Sequence, residues 1–114
     1  ILALLQAGRG RVIAAPHHWD GQAWTADGPA QVREWAALAA DLSGAVHLCG
    51  EWEAAPPEWL RALKGRATYD SPAHALRRAG YLAEIGWERL HQHRLDDPVT
   101  LAPLYAGQPD GMAA

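Results

Sequence analysis

The 114 residues carry a formal net charge of −3, and nearly half of them are apolar while a fifth are charged, so the chain suits one folded domain rather than a disordered segment. Nine Arg and one Lys are spread among carboxylates without forming the basic stripe of a nucleic-acid binder, and a single cysteine, Cys49, excludes an internal disulfide and a cysteine-based zinc cluster. No apolar run approaches the ~20 residues of a membrane span and no charged-then-apolar leader is visible, so a cytoplasmic location is expected.

Ile1 to Leu5 is an uninterrupted apolar run, the pattern of a strand buried on both faces. Gln6-Ala7-Gly8-Arg9-Gly10 predicts a tight turn, with two glycines free to adopt positive φ. Arg11 to His17 is a second strand, Trp19-Asp20-Gly21 another turn, and Gln22 to Thr25 a short third strand. Asp27-Gly28-Pro29 is a helix start, after which Val32, Trp35, Leu38, Ala39 and Leu42 share one helical face until Ser43-Gly44. Ala45 to Cys49 is a fourth strand closed by Gly50, Glu58 to Leu63 a short helix, and Ala67 to Tyr69 a fifth strand. A long helix from Pro72 to about His93 follows, with Leu76, Ala79, Leu82, Ala83 and Leu90 on its apolar face and Gly80 and Gly86 interrupting it. Residues 94–114 read as a polar tail around Leu101 to Tyr105.

Hairpin turns early imply antiparallel pairing and helical crossovers late imply parallel pairing, so one mixed sheet flanked by helices satisfies both. The expected spatial order is 3-2-1-4-5, with the first strand central. This α/β layout, a mixed five-stranded sheet over residues 1–93, is that of a ribonuclease H-like half-domain of the actin-like ATPase superfamily. A start at Ile1, without Met and already inside a strand, leads us to expect a companion half upstream and an apolar surface exposed in its absence.

Several groups invite a chemical reading. His17 and His18 lie near Asp20, and His91 and His93 near Asp96 and Asp97. Residues two apart on a helix point about 200° from each other, so His91 and His93 cannot chelate one ion there, and solvated surface histidines are expected instead. Cys49 lacks an adjacent base or Gly-rich elbow and reads as a structural thiol. Glu51 and Glu53 flank Trp52 in a loop after a strand, where α/β active sites often sit. A polar loop anchored by Trp52 is the reading we adopt, because acid–base work would need a second group to shift a pKa. Kinases and ATPases built from paired halves place a Gly-Gly element after this strand, so that backbone can approach a nucleotide. Here Gly50 is followed by the anionic Glu51 and the large Trp52, and we expect no nucleotide, metal or other cofactor to bind.

Specific residues resemble one family. Leu2 to Ala15 (LALLQAGRGRVIAA), with Ala7 and Arg9, is similar to the strand–turn–strand segment of the bacterial tRNA threonylcarbamoyladenosine dimerisation subunit, the TsaB/YeaZ family. The Cys49–Glu53 turn with its single Gly50 resembles that family's reduced glycine element, and Asp97-Pro98 followed by Leu101 to Gly107, with Pro103 and Tyr105, resembles its C-terminal end. Gln6 departs from the Asp frequent in the family at that turn. The resemblance implies a non-catalytic scaffold. Its partners would be a catalytic threonylcarbamoyltransferase paralogue, which modifies adenosine 37 of tRNA, and an ATPase subunit, contacted mainly through the missing first half. It implies no catalytic residue in this chain. The alternative is one half of an active acyltransferase or peptidase-like enzyme of the same superfamily.

Overall fold

The computed structural model describes residues 1–102. Pro103 and Tyr105 lie outside the described residues. Strands β1 (Leu2–Gly8), β2 (Arg11–Trp19), β3 (Trp24–Ala26), β4 (Gln31–Glu34), β5 (Val46–Gly50) and β6 (Ala67–Tyr69) are joined by helices α1 (Trp35–Asp41), α2 (Pro57–Ala62) and α3 (Ala79–His91), with a 3-10 turn at Trp52–Ala54. They form one mixed sheet in the order β3-β2-β1-β5-β6, with β4 pairing a second stretch of β2. The sheet therefore has six strands, not five. β1 is central, antiparallel to β2 and parallel to β5, and β6 is parallel to β5.

β1 runs on to Gly8, further than the turn-forming composition of Gln6 to Gly10 predicts. The register slips between Gln6 and Gly8, leaving Ala7 in a bulge. Gly8, Arg9 and Gly10 all take positive φ, so a non-glycine residue is held in the left-handed region at the hairpin tip.

Pro29 does not start a helix. Gln31–Glu34 pairs antiparallel with Arg11–Ala14, and the helix begins only at Trp35. Ladder hydrogen bonds to β2 outweigh the helical spacing of Val32 with Trp35. Val32 lies beside Ile13 on one side of the sheet, whereas Trp35 and Leu38 enter the core on the other. The second correction concerns the last helix, which spans Ala79–His91 rather than beginning at Pro72. Ser71 to Ala75 instead makes a hydrogen-bonded turn, with the His74 and Ala75 N–H groups donating to the Ser71 carbonyl.

The core lies on one face of the sheet. Leu2 and Leu4 of β1, Val12 and Ala14 of β2 and Leu48 of β5 meet Trp35, Leu38, Trp59 and Leu63 from α1, α2 and the residue after α2. Trp35 and Trp59 pack edge to face with ring centroids 5.0 Å apart, which joins α1 to α2. β1 is thus not buried on both faces. Its residues alternate between buried and half-buried, with Ala3 and Leu5 on the second face. All of the side chains of α3 are exposed, Leu82 at 74% among them, so its expected apolar face covers nothing.

Leu48 is fully excluded from solvent, so Leu48→Ala should lower unfolding free energy by about 3 kcal/mol through lost transfer energy and a residual cavity. Leu82→Ala should change it by less than about 0.5 kcal/mol. Urea denaturation of both variants measures the contrast.

Candidate functional site at the Gly50 turn

The C-terminal end of β5 lies against Leu4 of the parallel strand β1, at the carboxyl edge where α/β proteins place ligands. Gly50 ends β5 at φ +80°, and a Cβ there would sit 2.3 Å from the Leu4 carbonyl oxygen. Only glycine fits this close approach. The next N–H, that of Glu51, donates to the same Leu4 carbonyl at 2.8 Å and fixes the turn against β1.

The Glu51 side chain folds back over this turn. One carboxylate oxygen accepts the Gln6 backbone N–H at 2.7 Å, and the other accepts the Arg77 guanidinium through Nε at 2.8 Å and through Nη2. The Gln6 hydrogen bond first, and Arg77 after it, hold the Glu51 carboxyl below the usual carboxylate range. It is therefore an anion at neutral pH, the opposite of what a proton donor requires. A shallow cavity of about 250 Å³ lies here, lined by Gln6, Gly50, Glu51, Glu53, Leu76 and Arg77.

Trp52 is the anchor of the loop. Its indole N–H donates to the Asp70 carbonyl at 3.1 Å, and its ring stacks on Tyr69 with centroids 4.6 Å apart. Asp70 also accepts from His47 Nε2 at 3.2 Å, while His47 Nδ1 is hydrogen-bonded to the Thr68 hydroxyl at 2.8 Å. Both ring nitrogens of His47 are thus occupied. Cys49 donates its thiol to the Leu2 carbonyl at 3.7 Å, and partial burial first, then the charge of Asp70, push its pKa up. An activated thiolate needs the opposite environment.

Of the residues singled out in the sequence, Gly50, Glu51, Trp52 and Glu53 share this site, with Gln6 and Arg77 completing it. Arg9 and Ala7 do not. Arg9 lines a separate open groove of about 480 Å³ beside Glu34, Trp35, Glu58 and Trp59. The Trp59 indole N–H is buried there without a hydrogen-bond partner among the described residues. His91 lies against Trp87 on α3 and donates to its carbonyl, and His93 takes positive φ beyond the helix end. Among the described residues no three His, Cys, Asp or Glu side chains converge on one point, and no helix is long and apolar enough to cross a membrane.

Sequence reasoning singled out Glu51 but missed Arg77, which lies 26 residues away in the stretch expected to begin the last helix. The Trp52–Tyr69 stack had a partial signal, since both aromatics follow or end adjacent parallel strands. No protein-family model matches this chain and no curated protein matches it, so the functional argument rests on the residues themselves.

Gly50→Ala should destabilise the fold by about 3 kcal/mol or more, because backbone and not a yielding side chain blocks the new methyl. Gly44→Ala, at φ +81° with open space around it, should cost only about 1 kcal/mol. Thermal melts of the two variants rank them.

Glu51 has a depressed folded-state pKa, so its contribution to stability is complete above the unfolded carboxylate pKa and is lost as pH falls through the folded value. Glu51→Gln should therefore be less stable than the parent at pH 7 by about 1 kcal/mol, and the gap should narrow in acid. Urea titrations at neutral and acid pH measure it.

Proposed function

We propose that the chain is the second ribonuclease H-like half of a non-catalytic subunit of the TsaB/YeaZ type, a cytoplasmic scaffold for the catalytic paralogue that threonylcarbamoylates tRNA adenosine. The observation that carries this reading is the Glu51 carboxylate, held by the Gln6 N–H and Arg77 where a nucleotide-binding relative keeps paired glycines. A phosphate approaching the Gly50 backbone would meet a fixed negative charge and, beyond it, the indole of Trp52 stacked on Tyr69. Supporting it is the strand path β3-β2-β1-β5-β6, with a hairpin half followed by parallel crossovers. Such a half keeps the fold while its nucleotide turn is closed by its own side chain, which suits a partner that positions an enzyme rather than acting on substrate.

The test is reconstitution. The full-length gene product, a catalytic threonylcarbamoyltransferase paralogue and the ATPase subunit are combined with tRNA, threonine, bicarbonate and ATP, and modified adenosine is quantified. Modification is expected only when the product containing this chain is present, and Glu51→Gln should leave the rate within about twofold, as for a residue outside the chemistry. Stoichiometric micromolar ATP binding by this chain in calorimetry, or transfer without the paralogue, would overturn the assignment and favour the enzyme-half alternative.

A further inference from the structure

The open groove of about 480 Å³ between the β1–β2 hairpin tip, α1 and α2 is larger than the cavity at the Gly50 turn. Its size is that of a site for a small organic ligand. Its walls are apolar, built from Ala39, Ala54, Pro56 and Ala62 with the rings of Trp35 and Trp59. Trp59 is only 3% exposed, and its indole nitrogen is the one buried side-chain N or O atom without a hydrogen-bond partner among the described residues. The edge-to-face contact with Trp35 offers that N–H at most a ring face, a far weaker acceptor than oxygen. A buried donor in this state is costly, and an oxygen brought into the groove relieves the cost. Water does not reach the nitrogen, so the oxygen has to arrive on an apolar body that shifts the Trp35 ring.

The rim supplies charge. Arg9, Glu34 and Glu58 line the same groove, all three are exposed, and none is ion-paired among the described residues. Each is placed by the backbone. Arg9 sits in the left-handed region at the hairpin tip, Glu34 ends β4 opposite Arg11, and Glu58 lies in the first turn of α2. One cation and two carboxylates around an apolar trough complement a ligand that carries both charges at its ends and apolar groups between them. An apolar acid would meet two like charges, and an apolar amine would leave Arg9 without a counterion.

We propose that this groove binds an apolar dipeptide. Glu34 and Glu58 hold its ammonium group, Arg9 holds its carboxylate, and its side chains cover Ala39, Ala54, Pro56 and Ala62. The peptide carbonyl accepts the Trp59 N–H. A free amino acid has no carbonyl left for Trp59 once its carboxylate is on Arg9, which is why the ligand is a dipeptide. The assignment is independent of the tRNA-modification reading, since it uses none of the contacts that hold the Gly50 turn.

Leucyl-leucine titrated into the chain tests this, followed by calorimetry and by the indole N–H resonances in NMR spectra. Saturable binding with a Kd below about 1 mM is expected, with a downfield shift of the Trp59 indole proton as it gains an oxygen acceptor. Diglycine lacks the apolar body, N-acetyl-leucyl-leucine the ammonium group and leucyl-leucine amide the carboxylate. Each should bind at least about tenfold more weakly. Arg9→Asn, which keeps a residue tolerant of the left-handed turn, should weaken leucyl-leucine to a similar extent without altering the circular dichroism spectrum. Absence of saturable binding up to about 10 mM overturns the proposal, as does binding that leaves the Trp59 indole proton unshifted. Diglycine or free leucine bound as tightly as leucyl-leucine overturns it too, as does undiminished affinity in folded Arg9→Asn.

Discussion

The seam between β1 and β5 constrains everything else in this molecule. Leu2 pairs with Leu48 and Leu4 with Gly50, so β5 lies at full sheet contact with β1 up to its own C-terminal residue. That contact puts Leu48 at the centre of the core, and it leaves no room for a side chain at position 50. The strand then has to turn abruptly. Glu51 N–H completes the turn on the Leu4 carbonyl, which aims the Glu51 carboxylate back at Gln6 and the Trp52 ring outward onto Tyr69. A backbone requirement therefore generates the chemistry of the site. The closed, self-paired state of Glu51 follows from how tightly β5 is drawn against β1.

The same seam explains why the core is one-sided. Pairing fixes the side-chain alternation, so once Leu2, Leu4, Val12, Ala14 and Leu48 face α1 and α2, their neighbours must face the other way. Those neighbours are apolar too. A strand buried on one face needs only alternate apolar residues, whereas β1 and β2 are apolar at both, the composition of strands covered on two sides. α3 carries a matching excess of exposed apolar surface.

Polar groups around the site are joined to their neighbours by hydrogen bonds. His47 has both ring nitrogens engaged by Thr68 and Asp70, the Cys49 thiol is disfavoured as a thiolate by burial and by Asp70, and Glu51 is held ionised between Gln6 and Arg77. These contacts tie β1, β5, β6 and the Ser71–Arg78 segment together.

The α/β class, the central place of the first strand and the hairpin-then-crossover order were legible in the sequence alone. Each is set by short-range signals: apolar runs, turn residues and the spacing between them. The β4 strand was not legible, because Gln31–Glu34 has helical spacing with Trp35 and becomes a strand only when the edge of β2 offers hydrogen bonds. The start of α3 was missed for the opposite reason, since Ser71 to Arg78 has helix-compatible composition but is held as turns by its own hydrogen bonds and by Glu51. Periodicity told which residues are apolar and which share a face. Tertiary structure decided which of those faces are covered, because burial depends on what else the sheet edge and the turn bring within reach, and that information is not local in the chain.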